Sequence, residues 1–268
     1  MELKLLKCDW GMEHLGEMPD RLRAYAAAGY DGVECANIGM DPAEFGDLTT
    51  ELGLDYVAMM FCDDEAAFKD QLQAVKQTQP ILVNCHPGRD WFDLERSLRF
   101  FNEVAEIAAD LEAQVVYETH RTRCLYSPWS TERILNALPW LRITADFSHF
   151  TNVAENPLTK PPYSHMMDLA IDRADHIHAR VGSPQSAQVP DPRIGAGYRW
   201  TERFDRWWDR IIEARRDEGR EFLTINPEFG PPPYQPVTPD TEEPLADITE
   251  VCLWMATRFR SRWAGRLD

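Results

Sequence analysis

Glu118, Asp146, His178 and Glu228 stand in four short segments, VVYETH, ITADFSH, DHIHAR and INPEFG. Each segment reads as a β-strand with one metal-type side chain near its end. Three carboxylates and one imidazole suit a single divalent ion such as Mn2+, Mg2+, Co2+ or Zn2+. No thiolates accompany them, which argues against a structural zinc site. If the four converge on one ion, the chain is a metalloenzyme rather than a binding module.

The elements that must position these side chains follow an alternating pattern. Strands are expected over 3–8, 32–36, 56–61, 81–86, 114–119, 142–147, 176–180 and 222–228, with helical periodicity over 21–28, 43–52, 64–78, 94–111, 131–138, 165–173, 202–216 and 245–262. Eight strands alternating with eight helices predict a single-domain (β/α)8 TIM barrel spanning 1–268, a fold that typically needs about 250 residues. The competing doubly wound sheet lacks a Gly-rich phosphate loop after its first strand, where CDWGMEH stands instead. Successive ligand candidates are 28, 32 and 50 residues apart: one βα unit, another, and one unit enlarged by an insertion. They therefore fall at equivalent positions on strands five to eight. A strand-end acid taken alone is more often a helix N-cap or a surface charge; four in register favour the shared ion.

Two connections exceed what a barrel requires, 181–200 and 230–243, both rich in Pro. Both leave the C-terminal ends of strands, the face where barrel active sites sit, so they are expected to shape the site or to serve as contact insertions. In the HIH triplet, strand alternation points His176 and His178 to the same side; His178 is nearer the mouth, and His176 is expected deeper, hydrogen-bonded inside the barrel.

Composition sets outer bounds. With 28 Lys and Arg against 45 Asp and Glu, the net charge of −17 argues against a nucleic-acid backbone or an anionic membrane surface as main partner. No apolar run approaches the roughly 20 residues of a membrane span, and the first residues lack a secretory h-region. Six scattered cysteines without a CxxC pair fit a reduced, cytoplasmic protein.

Glu118, the Asp146–Phe147–Ser148–His149 run, His178 and Glu228 together resemble the xylose isomerase-like TIM-barrel superfamily, in particular its sugar phosphate isomerase/epimerase branch. The resemblance implies one divalent metal held by Glu118, Asp146, His178 and Glu228, and a small carbohydrate-like substrate. It also implies that Glu118 and Glu228 double as the acid/base pair of an isomerase or epimerase working through an enediolate or enolate. A homodimer is compatible with it. A keto-sugar or inosose-type dehydratase would use the same metal set, and a noncatalytic sugar-binding barrel is the alternative from another class. The related AP endonucleases use several more histidines than this chain offers.

Five further side chains are expected at the mouth as substrate contacts. His86 ends the fourth strand and could bind substrate, support a ligand, or be structural. His149 follows Asp146 by three residues and could bind a hydroxyl, orient a carboxylate, or lie on the surface. Ketose epimerases of the branch this chain resembles carry a substrate-contacting arginine shortly after the strand-seven histidine; here Arg180 comes two residues after His178 and Arg193 much later. Arg121, with Arg123, could meet a substrate phosphate or carboxylate, or be a helix-edge surface charge. Trp10 follows the first strand and could stack on a sugar, as could Trp91 and Trp129.

Overall fold

Short runs of β-branched and other apolar residues build eight parallel strands in the computed structural model, which describes residues 1–267. They are β1 (Glu2–Cys8), β2 (Gly32–Cys35), β3 (Asp55–Cys62), β4 (Leu82–Pro87), β5 (Val115–Glu118), β6 (Ile143–Ala145), β7 (Ala174–His178) and β8 (Phe222–Asn226). Each strand pairs with the next, and β8 returns to β1 with Glu2 opposite Phe222 and Leu5 opposite Ile225, closing a barrel. The expected (β/α)8 TIM barrel is the observed fold.

Among the described residues nine α-helices accompany the strands: α1 (Met18–Ala27), α2 (Pro42–Leu52), α3 (Glu65–Val75), α4 (Leu94–Asp110), α5 (Pro128–Ala137), α6 (Phe147–Val153), α7 (Tyr163–Arg173), α8 (Gly195–Asp217) and α9 (Ile248–Trp263). Their starts are chemically marked. Asp41, Asp64, Asp93, Ser127 and Asp247 each accept a backbone N–H in the first turn of the following helix. α4 carries Phe100, Phe101, Val104 and Ala108 on its buried face. Phe101 meets Tyr117 edge-on, with ring centroids 5.2 Å apart. Each such phenyl ring withdrawn from water contributes about 1.5–3 kcal/mol, and this helix-on-sheet layer is the main core.

Several element boundaries differ from the sequence expectation, and α6 is an additional helix. β6 stops at Ala145 rather than 147, because Asp146 caps the extra helix α6. α6 escaped notice because Phe147, Ser148, His149, Phe150 and Thr151 are all buried, so its seven residues carry no amphipathic stripe. α8 begins at Gly195 instead of 202, and absorbs the last part of the expected 181–200 loop.

Inside the barrel, Leu6, Val57, Leu82 and Val116 form a separate apolar plug. On the C-terminal side of the plug the lining turns polar. Asn84 of β4 and Asn226 of β8 each donate to Glu34 of β2, while Thr144 of β6 donates to Asn84 Oδ1 at 2.7 Å. Four side chains from alternate strands in one layer is the usual way such a barrel fills; here that layer is a hydrogen-bonded support for what lies above it.

Candidate metal centre and its cavity

β5 and β7 end in Glu118 and His178, while Asp146 and Glu228 stand one and two residues past the last residues of β6 and β8. Ligand-type atoms of all four lie within 4.8 Å of one another, and all four residues are buried. The convergence expected from spacing is therefore present. His176, as expected, sits deeper: its Nδ1 lies 2.7 Å from Thr224 Oγ1, and its Nε2 lies 3.0 Å from Glu34 Oε2.

Each member of the set is held by one atom and leaves another bare. Glu118 Oε2 accepts from Asn84 Nδ2 at 2.9 Å, while Oε1 has no hydrogen-bond partner. Asp146 Oδ1 caps α6, accepting from the backbone N and the hydroxyl of Ser148, while Oδ2 is unpartnered. The helix-cap reading of Asp146 thus holds for Oδ1, and Oδ2 is left uncommitted. Glu228 Oε1 accepts from Arg180 and leaves Oε2 free. His178 Nδ1 approaches Glu228 Oε2 to 2.7 Å and Glu118 Oε2 to 3.3 Å, without alignment for an N–H bond to either. Buried polar atoms are rarely left unpaired. Each of the four residues thus keeps one unpartnered polar atom, three oxygens and an imidazole nitrogen in all, and this donor chemistry matches that of a divalent cation.

Second contacts fix these groups. Both oxygens of Glu34 lie 3.0 Å from His178 Nε2, which orients Nδ1 toward the carboxylates. His86 Nε2 comes within 2.8 Å of Glu118 Oε2. The rings of His86, His120 and His149 stand in a row, with centroids 4.9 and 4.1 Å apart.

The crowding of charge perturbs most of these titrations. Burial pushes the Asp146 carboxyl up to about 7, with Glu228 and Glu118 adding to the rise against the pull of Arg180. Burial also opposes ionisation of Glu34, Glu118 and Glu228, but neighbouring cations outweigh it and hold them below the usual carboxylate range: His178 and His176 for Glu34, His86 and His178 for Glu118, Arg180 and His178 for Glu228. His178 is raised well above the ordinary imidazole value, because Glu34, Glu118 and Glu228 overcome its desolvation. His120 and His149 are lowered by burial and by neighbouring positive charge.

A cavity of about 530 Å3 opens beside the set; Trp10, Phe61, His86, His120, Arg180 and Tyr234 are among its walls, and Glu228 is the one member of the set that reaches it. Trp10, His86 and Arg180 thus line the cavity. Arg180 is 2% exposed, pairs with Glu228, lies 3.6 Å from Asp146 Oδ2, and spans the rings of Trp10 and Tyr234. His149 is fully buried rather than at the surface; its Nε2 is 3.4 Å from Asp146 Oδ2 and it does not line the cavity. Arg121 donates to Asn152 and lies over Tyr234, outside the cavity wall. Arg123 is engaged by Asp63 and the carbonyl of Gly88. Trp91 and Trp129 are exposed away from the cavity.

The two long connections lock together at the mouth. Gln188 donates to Gly230 O and Gln235 Oε1 and accepts from Gly230 N. A Cβ at Gly230 would lie 2.1 Å from the Trp10 ring, so only glycine lets Trp10 seat there. Sequence reasoning missed Glu34, Asn84, Asn226 and Tyr234. A charged residue inside the apolar strand GVEC is the one signal that could have exposed the first.

No curated protein sequence matches the chain. Solved structures share its fold. L-ribulose 3-epimerase is 11% identical, with 100% of each chain covered and a TM-score of 0.63. The probable 3-DHS dehydratase AsbF of Bacillus anthracis is 17% identical, covering 96% of this chain and 98% of that one, with a TM-score of 0.62. Endonuclease IV from Thermus thermophilus is 14% identical over 97% and 98%, with a TM-score of 0.57. The chain spans 44% of the length of a xylose isomerase-like TIM barrel/4-hydroxyphenylpyruvate dioxygenase fusion protein, which it matches over 98% of its own length at 14% identity and a TM-score of 0.61. Identities this low speak to architecture alone. The family model described as xylose isomerase-like TIM barrel matches residues 22–206, more than half the chain. With the closed eight-stranded barrel, that match makes this chain a member of the xylose isomerase-like TIM barrel family.

Proposed function

We propose that the chain is a divalent-metal-dependent isomerase or epimerase of a small polyhydroxylated carbonyl compound. The observation that carries this reading is that Glu118, Asp146, His178 and Glu228 are buried beside the cavity, bring one ligand-type atom each within 4.8 Å of the others, and each keep a polar atom without a partner. These four residues would hold the ion; when bound, it supplies a Lewis acid that polarises a carbonyl and acidifies the neighbouring C–H.

The chain's own groups supply the proton traffic. Glu228, the member of the set that lines the cavity, is placed to remove a proton next to a carbonyl. Arg180, held on Oε1 of the same carboxylate, keeps that side chain from turning and offers its remaining guanidinium N–H groups to substrate oxygens. Glu118 is covered, but His86 joins it to the cavity through the 2.8 Å contact with Oε2, so a proton can return from that side. Trp10 and Tyr234 wall off water above Arg180.

Incubation of metal-loaded protein with a panel of ketoses and aldoses in D2O tests the reading. Deuterium is expected at the carbon beside the carbonyl, in step with isomer or epimer formation. Binding without exchange across the panel would instead support a noncatalytic sugar-binding barrel. One observation favours a second reaction on the same set. The His86–Glu118 contact places a protonatable pair at the cavity wall, where an acid could assist loss of a hydroxyl. Product analysis separates the two: release of water with an enone absorbance marks a dehydratase.

A further inference from the structure

We propose that the cavity is built for a two-part, uncharged ligand: a ketose carrying a second saccharide unit, its carbonyl end at Glu228 and its second ring over the β1–β3 side of the mouth. This rests on the reaction reading above for the placement of the carbonyl end. The first observation is an asymmetry of the barrel mouth. All four candidate ligands come from β5–β8, whereas much of the cavity wall comes from the other half: Trp10 after β1, Asn37 after β2, and Met59 and Phe61 on β3. A single sugar unit at Glu228 leaves that half empty. The volume agrees: about 530 Å3 lies in the range of roughly 300–1,000 Å3 that encloses drug-sized ligands, well beyond the about twelve heavy atoms of one hexose.

The chemistry of the empty half selects the second part. Trp10 is fixed by Tyr234 edge-on at 5.1 Å and by its seat against Gly230, and Phe61 is 44% exposed beside His86. Flat apolar faces flanked by the polar side chains of Asp9, Glu13 and Asn37 suit a sugar ring, with its C–H face on the rings and its hydroxyls on the polar groups. Phosphate is disfavoured on charge. Each arginine of the wall already has its charge balanced by a carboxylate, Arg180 by Glu228 and Arg21 by Asp9 at 3.4 Å, while Asp9, Glu13 and Glu228 present further negative charge to the cavity.

Isothermal titration of Mn2+-loaded protein with D-fructose, lactulose (a fructose carrying galactose on O4) and D-fructose 6-phosphate tests the inference. Lactulose is expected to bind at least about tenfold tighter than D-fructose, and the phosphate ester more weakly than either. Asn37→Trp, which fills the distal half, should weaken lactulose binding far more than D-fructose binding. Equal dissociation constants, no lactulose binding, tighter binding of the phosphate ester, or a lactulose preference untouched by Asn37→Trp would overturn it. The two readings fail separately. Tight lactulose binding without deuterium exchange on any ketose removes the reaction and keeps the subsite; exchange on D-fructose without a lactulose preference does the reverse.

Discussion

His178 Nε2 lies 3.0 Å from both carboxylate oxygens of Glu34, a residue 144 positions away in the chain. Glu34 is itself held by Asn226 at 2.7 Å and by Asn84 at 3.0 Å, and takes His176 on the same side. With Nε2–H donated to Glu34, the lone pair left for a cation is the one on Nδ1, the nitrogen that faces Glu118 and Glu228.

Glu34→Gln is therefore expected to weaken metal binding by about 10- to 100-fold, although Glu34 contributes no atom to the four-residue candidate metal set. Competition titration with Co2+ measures it, and the nitrogen-15 shifts of the His178 ring should move toward the other tautomer. A variant that binds Co2+ as tightly as the parent, with unchanged ring shifts, would show that Glu34 only fills the barrel.

Glu228→Gln removes one anionic oxygen from the set and the partner of Arg180 in a single change. Both metal occupancy and turnover are expected to fall. Metal content by elemental analysis, alongside activity at saturating Mn2+, separates the two losses. Full occupancy with parental activity would remove Glu228 from the site.

Metal uptake should release protons near neutral pH. Burial has pushed Asp146 up to about 7, and His178 is raised by the three surrounding carboxylates, so both are protonated at least in part in the metal-free protein. Glu118 and Glu228, which are lowered, are already ionised there and contribute no proton. Apparent affinity should rise from about pH 6 to about pH 8, by up to tenfold per unit for each proton displaced. Stability follows the same sign. A carboxyl raised from its ordinary 3.8 stabilises the metal-free fold below that value and loses this contribution as pH climbs through about 7. Chelation should then lower the Tm more at about pH 8 than at about pH 6. Titration calorimetry in buffers of different ionisation heat counts the protons, and a pH-independent affinity would refute the scheme.

The contrast between Asp146 and Glu34 shows what a sequence can carry. Strand–helix alternation is local, so all eight strands and the convergence of Glu118, Asp146, His178 and Glu228 were legible from pattern and spacing. Asp146 could be read because DFSH places it at a strand end in step with its neighbours. Glu34 could not, because the partners that give it meaning, Asn84, His176, His178 and Asn226, are 50 to 192 residues away, and only closure of the barrel brings them together. Tyr234 was hidden for a related reason. Nothing local in its Pro-rich loop says that it will fold back over Arg180. α6 was lost because a helix buried all round has no stripe to read.

Arg180 supplies the sharpest directional test. Its guanidinium pairs with Glu228 and lies 3.6 Å from Asp146 Oδ2, so it neutralises two of the four side chains that would hold the ion. A fixed positive charge within about 5 Å of a divalent cation repels it by several kcal/mol even at an effective dielectric constant near 20, by simple Coulomb arithmetic. Arg180→Gln removes that repulsion while keeping a hydrogen-bonding side chain over Glu228. Metal affinity is expected to rise, by about tenfold or more, while KM for any turned-over ketose also rises, because the guanidinium no longer meets substrate oxygens. Opposite movements of metal binding and substrate binding cannot come from general loosening of the fold, which would weaken both. A variant in which both weaken together, with a lowered Tm, would instead identify Arg180 as a packing strut between Trp10 and Tyr234.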